Sequence, residues 1–250
     1  MSLVNVIEHT ATRHGAVQSD GIKFGENRIQ RALGRRAFRK PYISICVPSG
    51  VTEVEKRAVE EAAFQAGARD VTIVAETVAA AIGAGIDITK PVGNLVADIG
   101  AATTDVAVIS LGAPVILSTV RVGGDTFSEA IARYVRRNHS LFIGEGLAEE
   151  IKIKIGTVTS RPNSESMQIT GRNVITGLPR TISITSEEVR QACGEAATEI
   201  VETIHGVLEK TPPELSADIV ERGIVLTGGG ARLEASSAPC GSAGILSAKP

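Results

Sequence analysis

The chain has 250 residues, 43 % of them apolar and 22 % charged, with a formal net charge of -2. That length carries one large or two modest domains with a real core, and the composition excludes a disordered or fibrous chain. Near-neutral charge argues against a dedicated nucleic-acid binder, and 3 % aromatics with no Trp leave little to stack on bases or sugars.

Residues 1–40 show weak periodicity and many basic residues, without the basic start and long apolar core of a signal peptide. From Pro41 the texture changes. YISICV reads as a buried strand that ends in Pro48-Ser49-Gly50. TEVEKRAVEEAAFQAGA reads as a helix with Thr52 as cap, Glu55 completing a capping box and Gly67 closing it. Val54, Ala58, Ala62 and Gln65–Ala66 trace its expected inner face. DVTIVAE is a second strand and TVAAAIGAGID a small-residue helix, with Glu76 at the junction. Residues 41–90 therefore form a β-α-β-α unit, which implies a parallel sheet covered by helices.

LVADIGAATTDVAVI, Leu95–Ile109, is two apolar strands joined by a turn of small residues bracketed by Asp98 and Asp105. GAPVILSTVRVGGD adds a strand that ends in Gly123-Gly124-Asp125, and TFSEAIARYVRRNHS is an amphipathic helix. GLAEEIKIKIGTV is a further helix, ambiguous near Ile153–Ile155. Residues 165–185 alternate apolar and polar, as a hairpin or small sheet does. SEEVRQACGEAATEIVETIHGVLEKT is a long helix capped by Ser186. PPELSADIVERGIVLTGGGARL ends as a strand entering a triple-glycine turn, and EASSAPCGSAGILSAKP reads as a tail.

Three glycine turns follow apolar strands, at Asp98–Asp105, Val122–Asp125 and Thr227–Ala231. Hairpins use such turns routinely, and so do phosphate sites, which need backbone N–H groups unencumbered by side chains. Asp98 could hold a Mg²⁺ ion through water, with Thr103 and Thr104 as hydroxyl donors. Glu149 and Lys152 share a helix face, as a solvated ion pair or as a ligand pair. Glu76 either complements a helix N-terminus or orients a water near a phosphate. The four histidines form no ligand spacing and read as incidental, and the three scattered cysteines suit a reducing compartment. No apolar run approaches the ~20 residues that span a bilayer, so a cytoplasmic location is expected.

Taken in order, CVPSGVTEVEKRAVEEAAFQAGA, AAAIGAGI, DIGAATTDVAVISLG, VRVGGD, AEEIKIKIG, TGLPRTISITSEEV and EKTPPELSADIVERGIVLTGGGA carry a resemblance over roughly residues 35–231. They resemble the actin/DnaK-type ATPase superfamily, and within it the MreB/Mbl family of bacterial actin-like, rod shape-determining proteins. The resemblance implies an α/β actin-like ATPase fold of ribonuclease-H-like lobes, the first reduced and the second mostly complete. It divides the chain into a divergent segment 1–40, a first-lobe remnant 41–91, a second lobe 92–231 with a small subdomain about 141–190, and a divergent tail 232–250.

The resemblance further implies lobes that close on ATP and Mg²⁺. Asp98 matches the acid that positions the Mg²⁺ shell, and Gly100, Ala101, Ala102, Thr103 and Thr104 lie where the family touches phosphate. Glu76 matches the water-orienting position, Glu149 and Lys152 the pair bordering ribose and adenine, and Gly228, Gly229 and Gly230 the adenosine loop. The implied role is bacterial cell shape or cell-wall morphogenesis, by filament formation or co-assembly with a full-length relative. The implied partners are the cell-wall synthesis machinery and, at the inner face of the membrane, lipid touched weakly by Arg35, Arg36, Phe38, Arg39 and Lys40, with no nucleic acid.

The departures shape the expectation. Nothing in residues 1–40 matches the family's first phosphate loop, so the chain is expected to be truncated at both ends and its hydrolysis weak or lost. Ala101-Ala102 stand for the family's Gly-Gly and Asp105 for its Glu; a positive φ at either alanine would cost about 1–2 kcal/mol. Two alternatives stay open: a kinase or chaperone-type ATPase of the superfamily, and a degenerate fragment that binds no nucleotide.

Overall fold

Thr52 decides where the first long helix begins. Its hydroxyl accepts from Glu55 N at 3.3 Å while the Glu55 carboxylate accepts from Thr52 N at 2.8 Å, the reciprocal bonds of a capping box. The computed structural model describes residues 4–6 (backbone alone), 41–48, 50–160 and 164–233. Its contacts divide the chain into two compact units, Met1–Ala79 and Ala80–Pro250.

The first unit holds a parallel sheet in the order β1 (Val4–Val6), β2 (Tyr42–Val47) and β3 (Asp70–Ala75). Between β2 and β3 runs α1 (Glu53–Gln65), and β3 passes directly into α2 (Glu76–Gly83), within which the division falls. The expected parallel β-α-β-α arrangement is present. Its core is small: Ile43, Ala63 and Ala68 are buried, with Ile45 and Val71 against them. The inner face of α1 differs from expectation, because Ala63 is the buried residue while Val54 is 77 % exposed. Alanines spread around this helix leave two apolar stripes, and only packing selects between them. The basic segment Arg35–Lys40 lies outside the described residues.

The second unit is built on a four-stranded sheet. β4 (Asn94–Ile99), β5 (Thr104–Ser110) and β6 (Ala113–Val120) pair antiparallel in succession, and β10 (Ile224–Thr227) lies parallel to β4 on its other side. After β6 come α3 (Gly124–His139), the two-residue β7 (Leu141–Phe142) and α4 (Glu145–Ile155), so the stretch ambiguous in sequence is helical to Ile155. β8 (Ser166–Asn173) and β9 (Pro179–Thr185) form the expected hairpin, which β7 extends to three strands. α5 (Ser186–Glu209) and α6 (Pro213–Arg222) lead to β10, and a 3-10 turn at Gly230–Arg232 follows it.

Helices α3, α4 and α5 bury Phe127, Ile131, Ile151, Val189, Ile200 and Ile204 in one core with Val106 and Val108 of β5. Full burial of an Ile or Val stabilises by roughly 1.5–3 kcal/mol, so this core dominates the second unit. The cap of α5 is Thr185, not Ser186 as the sequence suggested: Thr185 and Glu188 form the box, and the Ser186 hydroxyl accepts from Glu165 N at 3.1 Å. His139 is not incidental either, since its Nε2 lies 2.7 Å from Glu188 Oε1. Among the described residues no helix is long and apolar enough to cross a membrane.

Candidate functional site

The β4–β5 connection, residues 100–103, is closed by Gly100 N donating to the Thr103 carbonyl at 2.9 Å. Ala101 and Ala102 are exposed and neither has a positive φ, so the strain raised by their replacing glycine is not incurred. Their amides donate to no described residue, so both N–H groups remain available to an anion. Thr103 is half-buried. Thr104 is fully buried and donates its hydroxyl to the Val122 carbonyl at 2.7 Å, tying the strand to the turn before α3.

That turn docks on the loop. Gly124 N donates to the Gly100 carbonyl at 2.9 Å and Asp125 N to the Ala101 carbonyl at 2.8 Å. A Cβ at Gly123 would come within 2.5 Å of the Ala101 carbonyl oxygen, so the approach requires glycine.

One rung of the sheet collects polar side chains. Thr227 pairs with Asp98, Asp98 with Asp105, and Asp105 with Thr119, in register across all four strands. Directly paired residues share a face, so two carboxylates stand side by side between two hydroxyls. Thr227 Oγ1 donates to Asp98 Oδ1 at 3.0 Å, and Thr119 Oγ1 to Asp105 Oδ1 at 2.6 Å. Asp105 is 2 % exposed and Asp98 half-buried. The glycine turn after β10 rests on the same strand end. Gly228 has φ +84°, and a Cβ there would press on the Ile99 carbonyl and lie 2.7 Å from Asp98 Oδ1. A Cβ at Gly230 would overlap the Ile99 side chain, whereas Gly229 faces open space.

Glu149 and Lys152 approach from α4. Lys152 Nζ lies 2.5 Å from Glu149 Oε2 and donates to the Gly124 carbonyl at 2.8 Å. Ser128 Oγ donates to the same Glu149 Oε2 at 2.7 Å. Burial alone would raise the Glu149 carboxyl, but hydrogen bonds from Lys152 and Ser128, with the Lys152 charge, outweigh it and hold the group below its ordinary value. The Lys152 side chain is only 11 % exposed, so this is no freely solvated pair.

Contacts thus run without a break from Gly228 through Asp98, Gly100 and Gly124 to Lys152 and Glu149, and bring eleven residues singled out from sequence into one cluster. These are Asp98, Gly100–Thr104, Glu149, Lys152 and Gly228–Gly230. Glu76 opens α2 and belongs to the first unit. Gly123, Thr119, Thr227 and Ser128 were given no role from sequence. Only Gly123 and Thr227 carried a signal, as members of the glycine turns.

A model of the family described as MreB/Mbl protein matches residues 22–238. Cell shape-determining protein Mbl of Bacillus cereus is 50 % identical over 196 residues, 78 % of this chain and 59 % of that protein. Cell shape-determining protein MreB of Escherichia coli is 49 % identical over 193 residues, 77 % of this chain and 56 % of that protein. The crystal structure of MreB 5 of Spiroplasma citri bound to AMPPNP matches with a TM-score of 0.80 at 37 % identity, over 85 % of this chain and 65 % of that one. The chain spans less than two thirds of the length of the curated relatives it matches.

Proposed function

The chain belongs to the MreB/Mbl family, and from that premise we infer that it binds ATP with Mg²⁺ at the glycine-lined cluster of its second unit. The observation that carries this reading is the Asp98–Asp105 rung beside the amides of Ala101 and Ala102, which donate to none of the described residues. Available backbone amides suit phosphate oxygens, and hard carboxylate oxygens suit Mg²⁺. Among the described residues no three His, Cys, Asp or Glu side chains gather as a metal cage, so the ion would keep water and phosphate as its main ligands, with Asp98 holding that shell. Thr103 supplies a reachable hydroxyl, Glu149 and Lys152 border the nucleoside, and the turn of Gly228, Gly229 and Gly230 lies under it. The MreB 5 structure, bound to AMPPNP and 37 % identical, supports the same ligand class.

The wider role follows from the family: a cytoskeletal element in bacterial cell shape that assembles with itself or with a full-length relative and meets the cell-wall synthesis machinery. ATP then serves as a conformational ligand. Glu76 orienting a water is a separate proposal, checked by whether E76Q loses turnover while keeping affinity. Calorimetric titration of the whole chain with ATP, with and without Mg²⁺, tests the binding. Affinity that strengthens with Mg²⁺ is expected; no measurable heat or displacement at any concentration overturns it and leaves the degenerate-fragment reading. Sedimentation with ATP tests assembly.

A further inference from the structure

A cleft of about 490 Å³ opens at one end of the second unit, lined by Arg136 of α3, Phe142 of β7, Arg172 of β8 and the turn at residues 173–177. Its walls are tied to one another. Phe142 pairs with Arg172 on the ladder, and Val174 N donates to the carbonyl of Ser140, the residue that closes α3, at 2.8 Å. The turn is fixed as well: Asn173 Oδ1 accepts from Ile175 N at 2.9 Å and from Thr176 N at 3.0 Å, and Gly177 N donates to the Asn173 carbonyl at 2.9 Å. A site set in advance costs a ligand little further ordering.

The chemistry of the cleft is mixed. The Arg172 guanidinium sits 5.8 Å from the Phe142 ring centroid, so positive charge and apolar surface share one wall. Among the described residues neither Arg136 nor Arg172 pairs with a carboxylate. Residues 166–185 contain no Asp or Glu to offset these charges. Phe142 is 49 % exposed, and Val174, Ile175 and Leu178 stand in water at the rim, Ile175 by 82 %.

Two guanidiniums without a carboxylate of their own suit an anionic ligand, and the planar arginine fork takes carboxylates in bidentate pairs. A small free anion would satisfy them and leave Val174, Ile175 and Leu178 in water. A planar surface would cover the rim and offer nothing that protrudes into the cleft. A peptide does both, because its side chains reach in separately. We propose that this cleft docks an acidic segment of a partner protein, one whose carboxylates flank an aliphatic or aromatic side chain. The carboxylates pair with Arg136 and Arg172, and the apolar side chain lies against Phe142, Val174 and Ile175. The contact does not rest on the nucleotide reading.

The chain has no Trp, so a peptide that carries one reports its own burial. The probe is acetyl-Glu-Glu-Leu-Trp-Glu-Glu-Leu-amide, and its control has Lys in place of each Glu. Titration with the full chain is expected to shift the probe's emission to the blue and to saturate, to leave the control unmoved, and to weaken as salt rises. R136A/R172A is expected to weaken binding by about tenfold or more, because two charge-assisted donors are lost. I175D is expected to weaken it by a similar factor, and thermal melting should show both variants folded. R136E/R172E is expected to reverse the preference and bind the control over the probe. If the parent binds the two peptides alike, or R136A/R172A binds the probe as the parent does, the proposal fails. It also fails if the probe does not bind and I175D instead alters the sedimentation of the chain alone, which would make the cleft an interface between copies, or its pelleting with anionic vesicles, which would make it a lipid contact.

Discussion

Asp98 and Asp105 face each other across the β4–β5 ladder, each hydrogen-bonded to a threonine on the strand at its outer side. Like charges directly opposite oppose folding, and a cation between them reverses that sign. Asn at position 98 keeps an oxygen to accept from Thr227 while removing one charge. D98N is therefore expected to stabilise the ligand-free chain by about 0.2–1 kcal/mol in urea melts. The same variant is expected to lose the Mg²⁺ dependence of ATP affinity. A less stable D98N whose ATP affinity still responds to Mg²⁺ contradicts both parts.

The glycine turn offers an internal control. Gly228 sits at φ +84° against the Ile99 carbonyl, whereas Gly229 has φ -65° and open space around it. G228A is expected to destabilise by about 2 kcal/mol or more, from left-handed strain plus displacement of the β4 end. G229A is expected to change stability by under about 0.5 kcal/mol, since alanine adopts that conformation freely and loses less entropy on folding. Chemical denaturation of the pair checks the contrast, and equal costs would mean the turn does not rest on β4 as described.

The order of elements was legible because strand and helix periods, capping residues and glycine turns are local signals. Thr52 and Glu55 fixed α1 by spacing alone, and the same rule applied to Thr185 and Glu188 would have corrected the choice of Ser186. Helix α6 also carries its signals, Pro213 at the start and Gly223 at the end. What local pattern could not supply was register. Thr227 is a polar partner of Asp98 only because β10 pairs with β4 from far along the chain, and Thr119 meets Asp105 only in the particular register of the β5–β6 hairpin. Ser128 is reached in the same way, through the packing of α3 on α4. At Ala101 and Ala102 the family comparison made strain conditional on a positive φ, and neither residue has one.

Cys193 lies buried on α5, and burial pushes its thiol up to about 12 despite the nearby Lys152 charge. Almost none of it is thiolate at physiological pH, and the side chain is out of reach. Brief N-ethylmaleimide treatment of the native chain, followed by peptide mass mapping, is expected to leave Cys193 unmodified. The same treatment in denaturant is expected to modify it fully. Modification of Cys193 in the native chain at the rate of a free thiol would show that the α3–α4–α5 core opens readily.

The Glu149 carboxyl is held below its ordinary 4.5, burial being outweighed by the Lys152 and Ser128 hydrogen bonds and the Lys152 charge. A lowered carboxyl stabilises the fold fully above its unfolded value, and the gain disappears as pH falls through the folded value. The Glu149 side chain is 46 % exposed, so screening limits the effect to about 0.5 kcal/mol. E149Q should thus be less stable than the parent by about that amount near pH 7 and equal to it near pH 3. Glu188 is also held low, by Thr185 and His139 against its own burial, and titrates over the same range in both proteins. The informative quantity is therefore the difference between the two urea midpoints at each pH, not the acid limb of either. A difference that stays constant from neutral to acid pH would mean the pair contributes through packing rather than charge.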